Sequence, residues 1–272
     1  MRVEVLSDHA GALLIASRAR LRGAGAFLAD RESDYRAAWA HLQAATRARS
    51  LWRRLFGVPS AGERAAAART RASWQEVLLA GQDRARANHR LHQRAAGVLG
   101  EDALTAALGV LPDEWVMLRG YRNRCGETDH VLVGPHGIWV VEVKRRRIRL
   151  HAVGDQWWWE KLDARGHSVG TGQAVDGGGR SWARQVNDVA DDLAAWLRRN
   201  RQDVPVRTAV VLMHDQAQLG RCQDPTVSLV GTHPTHLLDA LARFATPLAA
   251  VEVADLVRRD HAFHQRRRDR RR

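Results

Sequence analysis

Asp129-His-Val-Leu-Val133 and Ile138-Trp-Val-Val-Glu-Val-Lys144 are two apolar strand patterns joined by Gly134-Pro-His-Gly137. The joining segment has proline at its second position and glycine at its fourth, which is typical of a type I turn. The two patterns therefore predict a β-hairpin. The second pattern is almost unbroken in its apolar run, and such runs belong to strands that are covered on both faces.

The hairpin's register brings charged side chains together. If the chain turns about the middle of the joining segment, Asp129 lies directly opposite Glu142, and Glu127 lies opposite Lys144. Directly opposed residues hold their Cβ atoms about 4.5–5.5 Å apart, and strand alternation places Lys144 on the same face as Glu142. A glycine bulge at the turn would shift this register by one residue but would preserve the cluster.

Lys144 is one of only two lysines, against forty-one arginines. A lysine ammonium is compact and can lose its proton when buried, whereas a guanidinium stays charged. A carboxylate buried in the apolar run without a partner would be costly, so Glu142 either forms a structural ion pair with Lys144 or meets a metal ion and a substrate. Metal-dependent phosphodiester cleavage uses this set: Asp129 and Glu142 to hold Mg²⁺ (or Mn²⁺), and Lys144 to orient water or stabilise developing charge.

The chain's charge indicates its partner. The net charge is +13 and the isoelectric point is about 11.3, which favours a polyanion, and nucleic acid first. The competing interpretation is a solvated basic face on a protein from a GC-rich bacterial gene. Arg145, Arg146 and Arg147 directly follow Lys144 and are candidate phosphate contacts, although they equally suit a solvated strand end.

The chain's organisation predicts an α/β fold. Residues 1–90 are assigned to an N-terminal helical region, 91–250 to a domain in which strands and helices alternate, and 251–272 to a short helix with a basic tail. Within the second segment we expect a helix from about Gln93 to Leu108, with Glu101 between the apolar positions of its stripe. Taken alone, Glu101 is better explained as an edge residue that reaches solvent.

Further elements are expected after the hairpin. They are a strand at Gln156–Glu160, a glycine-rich loop from Gly166 to Arg180, a helix capped by Ser181 and ending near Arg199, strands at Arg207–Met213 and Thr226–Val230, and a helix from Pro234 to Phe244.

These residues together resemble a known family. Gly100-Glu101 in a helix, Glu127-Thr-Asp129-His-Val-Leu-Val-Gly134, Gly137-Ile-Trp-Val-Val-Glu-Val-Lys144, Trp157 and a helix beginning near Gln185-Val-Asn187 are similar to the NERD (nuclease-related) domain. That family is regarded as a branch of the restriction-endonuclease-like PD-(D/E)xK superfamily. The resemblance spans about Gln93 to Asp215. It departs from the superfamily's pattern at Thr128, where the superfamily's name has proline.

The resemblance implies a fold and a site. The fold is a restriction-endonuclease-like mixed central sheet flanked by helices, here preceded by the helical region. The implied site residues are Glu101, Asp129, Glu142 and Lys144, with Gln185 supporting them from its helix. Without the resemblance, Gln185 would be taken for a surface amide.

Two functions compete at this point. The leading hypothesis is a Mg²⁺-dependent nuclease acting on DNA. The alternative is a catalytically silent nucleic-acid-binding or scaffolding module in which Glu142 and Lys144 stabilise the fold. Two cysteines without a CxxC pair suit a reducing cytoplasm, and the apolar segment Ala10–Ala16 is far short of the ~18 residues that a membrane span needs. A cytoplasmic protein without a membrane partner is therefore expected.

Overall fold

The structure is a computed structural model and describes residues 1–243 and 249–270. It divides into two compact units. Met1–Ala10 and Ala96–Arg272 form one, called here the sheet unit, and Gly11–Ala95 form the other, called the helical unit. The predicted helix end at Phe244 and the last two residues of the basic tail lie outside the described residues.

The elements follow one another along the chain in a mixed α/β order, as predicted. The strands are β1 (Arg2–Val5), β2 (Val116–Arg122), β3 (Glu127–Gly134), β4 (Gly137–Lys144), β5 (Ile148–Val153), β6 (Gln156–Leu162), β7 (Ser168–Gln173), β8 (Val206–Leu212), β9 (Gln218–Gln223) and β10 (Leu229–Gly231). The helices are α1 (His9–Arg47), α2 (Leu51–Leu55), α3 (Ala61–Ala107), α4 (Trp182–Arg199), α5 (Pro234–Arg243) and α6 (Ala250–Asp269).

A six-stranded mixed sheet forms the centre of the sheet unit, in the order β1-β2-β3-β4-β8-β10. β3 is antiparallel to β2 and β4, whereas β8 runs parallel to β4. One face packs against α4, α6 and the strands β5 and β6, and the other against the end of α3 and against α5. β4 is covered on both faces, which is why its sequence is almost continuously apolar.

β5, β6, β7 and β9 form a separate four-stranded sheet in the order β7-β6-β5-β9. β5 and β9 were not predicted. The glycine-rich loop expected from Gly166 to Arg180 is also wrong in part, because it contains β7. Gly172 explains the strand: the Trp159 ring covers this glycine so closely that a Cβ there would lie 2.3 Å from the ring. An aromatic ring from the neighbouring strand thus compensates for the missing side chain.

Several predicted boundaries are wrong. Arg2–Val5 was assigned to the helical region but pairs with β2 as an edge strand. The helix expected from Gln93 is the last part of α3, which continues through that residue because no proline or capping residue interrupts it. The C-terminal segment is a helix up to Asp269 whose apolar side chains, among them Val253 and Val257, are buried in the core. Burial of this apolar face makes the segment a part of the fold.

Candidate functional site

The site lies where β3 and β4 separate. The register predicted from the turn is confirmed, because the backbone ladder pairs Gly134 with Gly137 and continues to His130 opposite Val141. The ladder stops there. Beyond it, the Thr128 hydroxyl donates to the Val141 carbonyl over 3.0 Å, and the Val143 N–H donates to Asp129 Oδ2 over 2.6 Å. Side chains therefore take over from the backbone ladder at the point where the carboxylates gather.

Glu127 lies elsewhere, so the prediction that it faces Lys144 is wrong. Glu127 is paired with Arg122 of β2 in the ladder and forms an ion pair with its guanidinium. Its other carboxylate oxygen accepts a hydrogen bond from Ser7 Oγ over 3.1 Å. The departure follows from the end of the β3–β4 ladder, beyond which β3 is held by β2 alone.

Glu142 is the central carboxylate, and it is only 3% exposed. Its Oε1 atom accepts hydrogen bonds from Lys144 Nζ and, over 2.9 Å, from Gln185 Nε2. Its Oε2 atom is buried without a hydrogen-bond partner, and so is Gln185 Oε1. Buried polar atoms are nearly always paired, so two unpaired oxygens on adjacent side chains mark a place suited to a ligand that accepts their lone pairs.

Lys144 closes the strand and retains its charge. Burial acts to lower the pKa of Lys144, but the neighbouring Glu142 and Asp129 carboxylates outweigh it and raise that pKa above its ordinary value. The ammonium also lies 5.4 Å from the centroid of the buried Trp182 ring, within the range of a cation–π interaction. The site thus holds a fixed positive charge beside its carboxylates.

Asp129 and Glu101 are electrostatically strained. Burial raises the pKa of Asp129 well above its usual range, and the neighbouring Glu142 and Glu101 carboxylates raise it further. Burial likewise raises the pKa of Glu101 to about 7; Arg119, 3.8 Å away, opposes the rise, and Glu142 adds to it. Crowded carboxylates with raised pKa values are typical of functional sites, because a cation would relieve their repulsion.

Gly100 lets α3 bring Glu101 to this place. A Cβ at Gly100 would lie 3.0 Å from Arg145 Cβ and 3.3 Å from Val143 Cγ1. A residue without a side chain lets the helix approach the end of β4 this closely without displacing these two neighbours. Glu101 is therefore inside the cluster, contrary to the expectation from its own helix pattern that it reaches solvent.

The remaining predicted residues are the three arginines that directly follow β4. Arg146 lies over the same aromatic residue, with its guanidinium carbon 5.3 Å from the Trp182 ring centroid. Arg145 is half-buried, whereas Arg146 and Arg147 are exposed. All three continue from Lys144 toward β5, which places positive charge next to the carboxylates.

The donor set suits a cation that keeps most of its own water. Among the described residues, no group of three or more His, Cys, Asp or Glu side chains is arranged to hold a metal ion. Mg²⁺ needs less than that, since it is commonly held by one or two carboxylates together with water and substrate phosphates. Asp129, Glu142 and the amide oxygen of Gln185 are hard oxygen donors of the required kind.

Residues 96–213 match the family model of the nuclease-related domain, NERD. This segment of the chain is similar to the nuclease-related domain. The match covers every residue of the cluster, from Glu101 to Gln185, and agrees with the limits expected from the sequence. No curated protein and no solved structure matched the chain. Within the described residues, no helix combines the length and apolar character needed to cross a bilayer.

The structure brings all five predicted catalytic residues of this segment together, and their catalytic roles stay predictions. Sequence reasoning did not find the hydrogen bond of Thr128 or the packing of Trp182 beneath Lys144. Thr128 stands out only as the residue that replaces the superfamily's proline. In the sequence, Trp182 cannot be told from the other apolar positions of the α4 stripe, because its contact with Lys144 depends on how α4 crosses β4.

Proposed function

We propose that the NERD domain hydrolyses phosphodiester bonds in DNA with the help of Mg²⁺ (or Mn²⁺). One observation carries the proposal: Glu142 shares one carboxylate oxygen with Lys144 and Gln185 while its other oxygen is buried and unpaired. An ion pair that served only the fold would gain from pairing both oxygens. The nuclease-related family match supports the same chemistry.

Asp129 and Glu142 are the residues that hold the metal, and Glu101 of α3 is the neighbouring third carboxylate of the cluster. Mg²⁺, when bound, supplies positive charge opposite the phosphate oxygens of the substrate. The raised pKa values of Asp129 and Glu101 support this assignment, because burial and the neighbouring carboxylates disfavour the charged forms of these two groups, which a cation would favour. Gln185 fixes the orientation of Glu142 through its amide N–H.

Lys144 orients the attacking water or stabilises the charge that develops on the phosphate. Its ammonium is protonated in this setting, so it acts as a hydrogen-bond donor and a cation. The Trp182 ring beneath it restricts its position. A donor held in place before the reaction stabilises developing charge more effectively than a mobile one.

Arg145, Arg146 and Arg147 contact the phosphates of the DNA on either side of the scissile bond. They directly follow the site and add three positive charges to it. Such contacts position the strand and carry no base preference.

The direct contact between Lys144 and Glu142 also favours a second candidate, a nucleic-acid-binding module without catalytic activity. In that case the pair stabilises the strand end, and the arginines alone act on the partner. Both candidates bind nucleic acid with an affinity that falls as salt rises, so binding alone does not separate them.

Plasmid nicking during a Mg²⁺ titration separates them. Supercoiled DNA is incubated with the wild-type protein, with Lys144→Met and with Asp129→Asn, and binding is measured in parallel by fluorescence anisotropy. Lys161→Met is the matched control, because Lys161 is the other lysine of the chain and is exposed. An RNA of the same sequence tests the preference for DNA.

We expect both site variants to nick more than about 100-fold more slowly while still binding DNA, and Lys161→Met to act like the wild type. Equal nicking by all four proteins would point to a contaminating nuclease and refute the assignment. Binding without nicking by the wild type at every Mg²⁺ and Mn²⁺ concentration would establish the silent module.

A further inference from the structure

The end of the helical unit presents an apolar surface that the nuclease proposal does not use. It comprises Leu51, Trp52, Leu55 and Phe56, exposed by 76%, 72%, 78% and 71%, and the half-exposed Val58. We call these five residues the apolar tip. Large apolar side chains clustered and exposed to this extent indicate an interaction surface.

The apolar tip is amphipathic. α2 and the turn after it place Leu51 and Leu55 one helical turn apart, with Trp52 and Phe56 beside them, whereas Arg53 and Arg54 take the other positions of the turn. The Trp52 and Phe56 rings lie parallel, with centroids 6.1 Å apart. The tip therefore combines one apolar face with one cationic face.

The charge around the tip is of one sign. Residues 35–62 contain five arginines and no aspartate or glutamate: Arg36, Arg47, Arg49, Arg53 and Arg54. Arg49 is neutralised by Glu63, which it contacts at 2.6 Å. Of the others, Arg47, Arg53 and Arg54 lie in or next to the tip and leave it positive, so its partner is expected to be anionic.

These features decide between three kinds of partner. A second copy of the chain would bring arginines against arginines without a carboxylate between them. A nucleic acid would satisfy the arginines, but Leu51, Leu55 and Val58 gain little from base stacking, and the two stacked rings leave no room for a base between them. An anionic membrane satisfies both faces, because arginines pair with lipid phosphates while Trp, Leu and Phe enter the boundary of the acyl region.

We propose that the apolar tip docks on the surface of a membrane that contains anionic phospholipid. No membrane partner was expected from the sequence, because its N-terminal apolar segment is too short to span a bilayer. A peripheral contact needs no spanning segment, since an amphipathic element lies in the interface with its apolar face only about 5–10 Å deep. The inference is independent of the nuclease proposal, because it uses residues of the helical unit alone.

Vesicle co-sedimentation of the full chain tests the proposal. The vesicles contain phosphatidylcholine alone or phosphatidylcholine mixed with phosphatidylglycerol. The variants are Leu55→Gln, which removes apolar character from the tip, and Arg53→Gln, which removes charge. Leu79→Gln is the matched control, because Leu79 is also exposed, by 60%, but lies on α3 outside the tip.

We expect sedimentation with the anionic vesicles and little with the neutral ones. Leu55→Gln should weaken partitioning by about tenfold, Arg53→Gln by about fivefold, and Leu79→Gln should leave it unchanged. Nicking of DNA in solution should be the same for Leu55→Gln and the wild type, so failure of one proposal is distinguishable from failure of the other.

Three results would overturn the proposal. The first is absence of vesicle binding by the wild type, or equal binding by Leu55→Gln. The second is concentration-dependent self-association that Leu55→Gln abolishes in sedimentation velocity, which would identify a second copy as the partner. The third is loss of DNA affinity in Leu55→Gln without loss of vesicle binding, which would identify nucleic acid.

Discussion

Two buried glutamates, Glu63 in the helical unit and Glu142 in the sheet unit, meet their cations in different ways. Both are 3% exposed. Both oxygens of Glu63 are paired, since Arg49 donates to each of them and the Ser60 N–H donates to Oε2 over 2.7 Å. Glu142 receives both of its donors on one oxygen and leaves the other buried and unpaired.

The pKa values of the carboxyl groups also differ between the two sites. The hydrogen bonds from Arg49, followed by the one from Ser60, lower the pKa of Glu63 to about 2. Next to Glu142, by contrast, burial and like charge raise the pKa values of two other carboxyl groups, Asp129 and Glu101. A pair that stabilises the fold satisfies its own hydrogen bonds, whereas the cluster on β4 leaves one oxygen of Glu142 buried and unpaired. Substitutions at each glutamate and at its neighbours test that distinction.

The largest expected effect comes from changing each glutamate to glutamine. Glu142→Gln should slow DNA nicking by more than about 100-fold, because it removes a ligand oxygen and a charge from the site. Glu63→Gln should leave nicking unchanged and lower the melting temperature, because Arg49 loses its partner. Nicking rates and thermal melts of both variants make the comparison. A large loss of nicking in Glu63→Gln, or none in Glu142→Gln, would remove the distinction.

A smaller effect is expected from the residue that orients Glu142. Gln185→Ala should raise the Mg²⁺ concentration for half-maximal nicking by about 10- to 100-fold, as for other residues that orient metal ligands. The matched control is Gln156→Ala, since Gln156 is an exposed amide of β6. If the Mg²⁺ dependence of Gln185→Ala equals that of the wild type, the amide serves only packing.

Thr128 is expected to act as a positioning residue. Thr128→Val keeps the shape of the side chain but removes the hydrogen bond to the Val141 carbonyl, which should lower kcat by about tenfold and leave KM nearly unchanged. Thr128→Ser retains the hydroxyl and should restore most of the rate. A merely structural role would lower the thermal stability of Thr128→Val without changing kcat at a temperature where the variant is folded.

The smallest effect concerns two glycines one turn apart on α3. Gly97→Ala should stabilise the protein by up to about 1 kcal/mol, because alanine favours the helix and its Cβ meets nothing within 4 Å. Gly100→Ala should lack this gain and should also reduce nicking, because its Cβ presses against Arg145 and Val143 and moves Glu101. Urea denaturation and nicking of the two variants measure the contrast. Equal behaviour of both variants would mean that α3 and β4 need no close contact.

The sequence predicted the parts of the site that depend on local geometry. The type I turn and the alternation along β4 were sufficient to place Lys144 beside Glu142 and to set the register from His130 to Gly134, because strand pairing follows from the turn that joins the strands. The cap at Ser181 and the apolar stripe of α4 likewise gave that helix its limits, which are confirmed.

Other features escaped prediction for physical reasons. The strand within the glycine-rich segment depends on the Trp159 ring that covers Gly172, a contact between neighbouring strands. The helix pattern of Glu101 taken alone favoured an edge position, because it carries no information about the strand end nearby, and only the family resemblance assigned Glu101 to the site. Glu127 was assigned to the wrong partner, because the predicted β3–β4 register was extended beyond His130, where the observed ladder ends.

The amino-acid sequence by itself determined the hairpin, the similarity to the nuclease-related domain and the identity of the charged residues, because turn chemistry, alternation and an ordered set of motifs are written along the chain. Only the tertiary structure decided that one oxygen of Glu142 stays unpaired, that α3 brings in a third carboxylate and that the apolar tip is exposed. These properties depend on which atoms are left without partners after packing. That outcome is a property of the whole fold, and no local pattern encodes it.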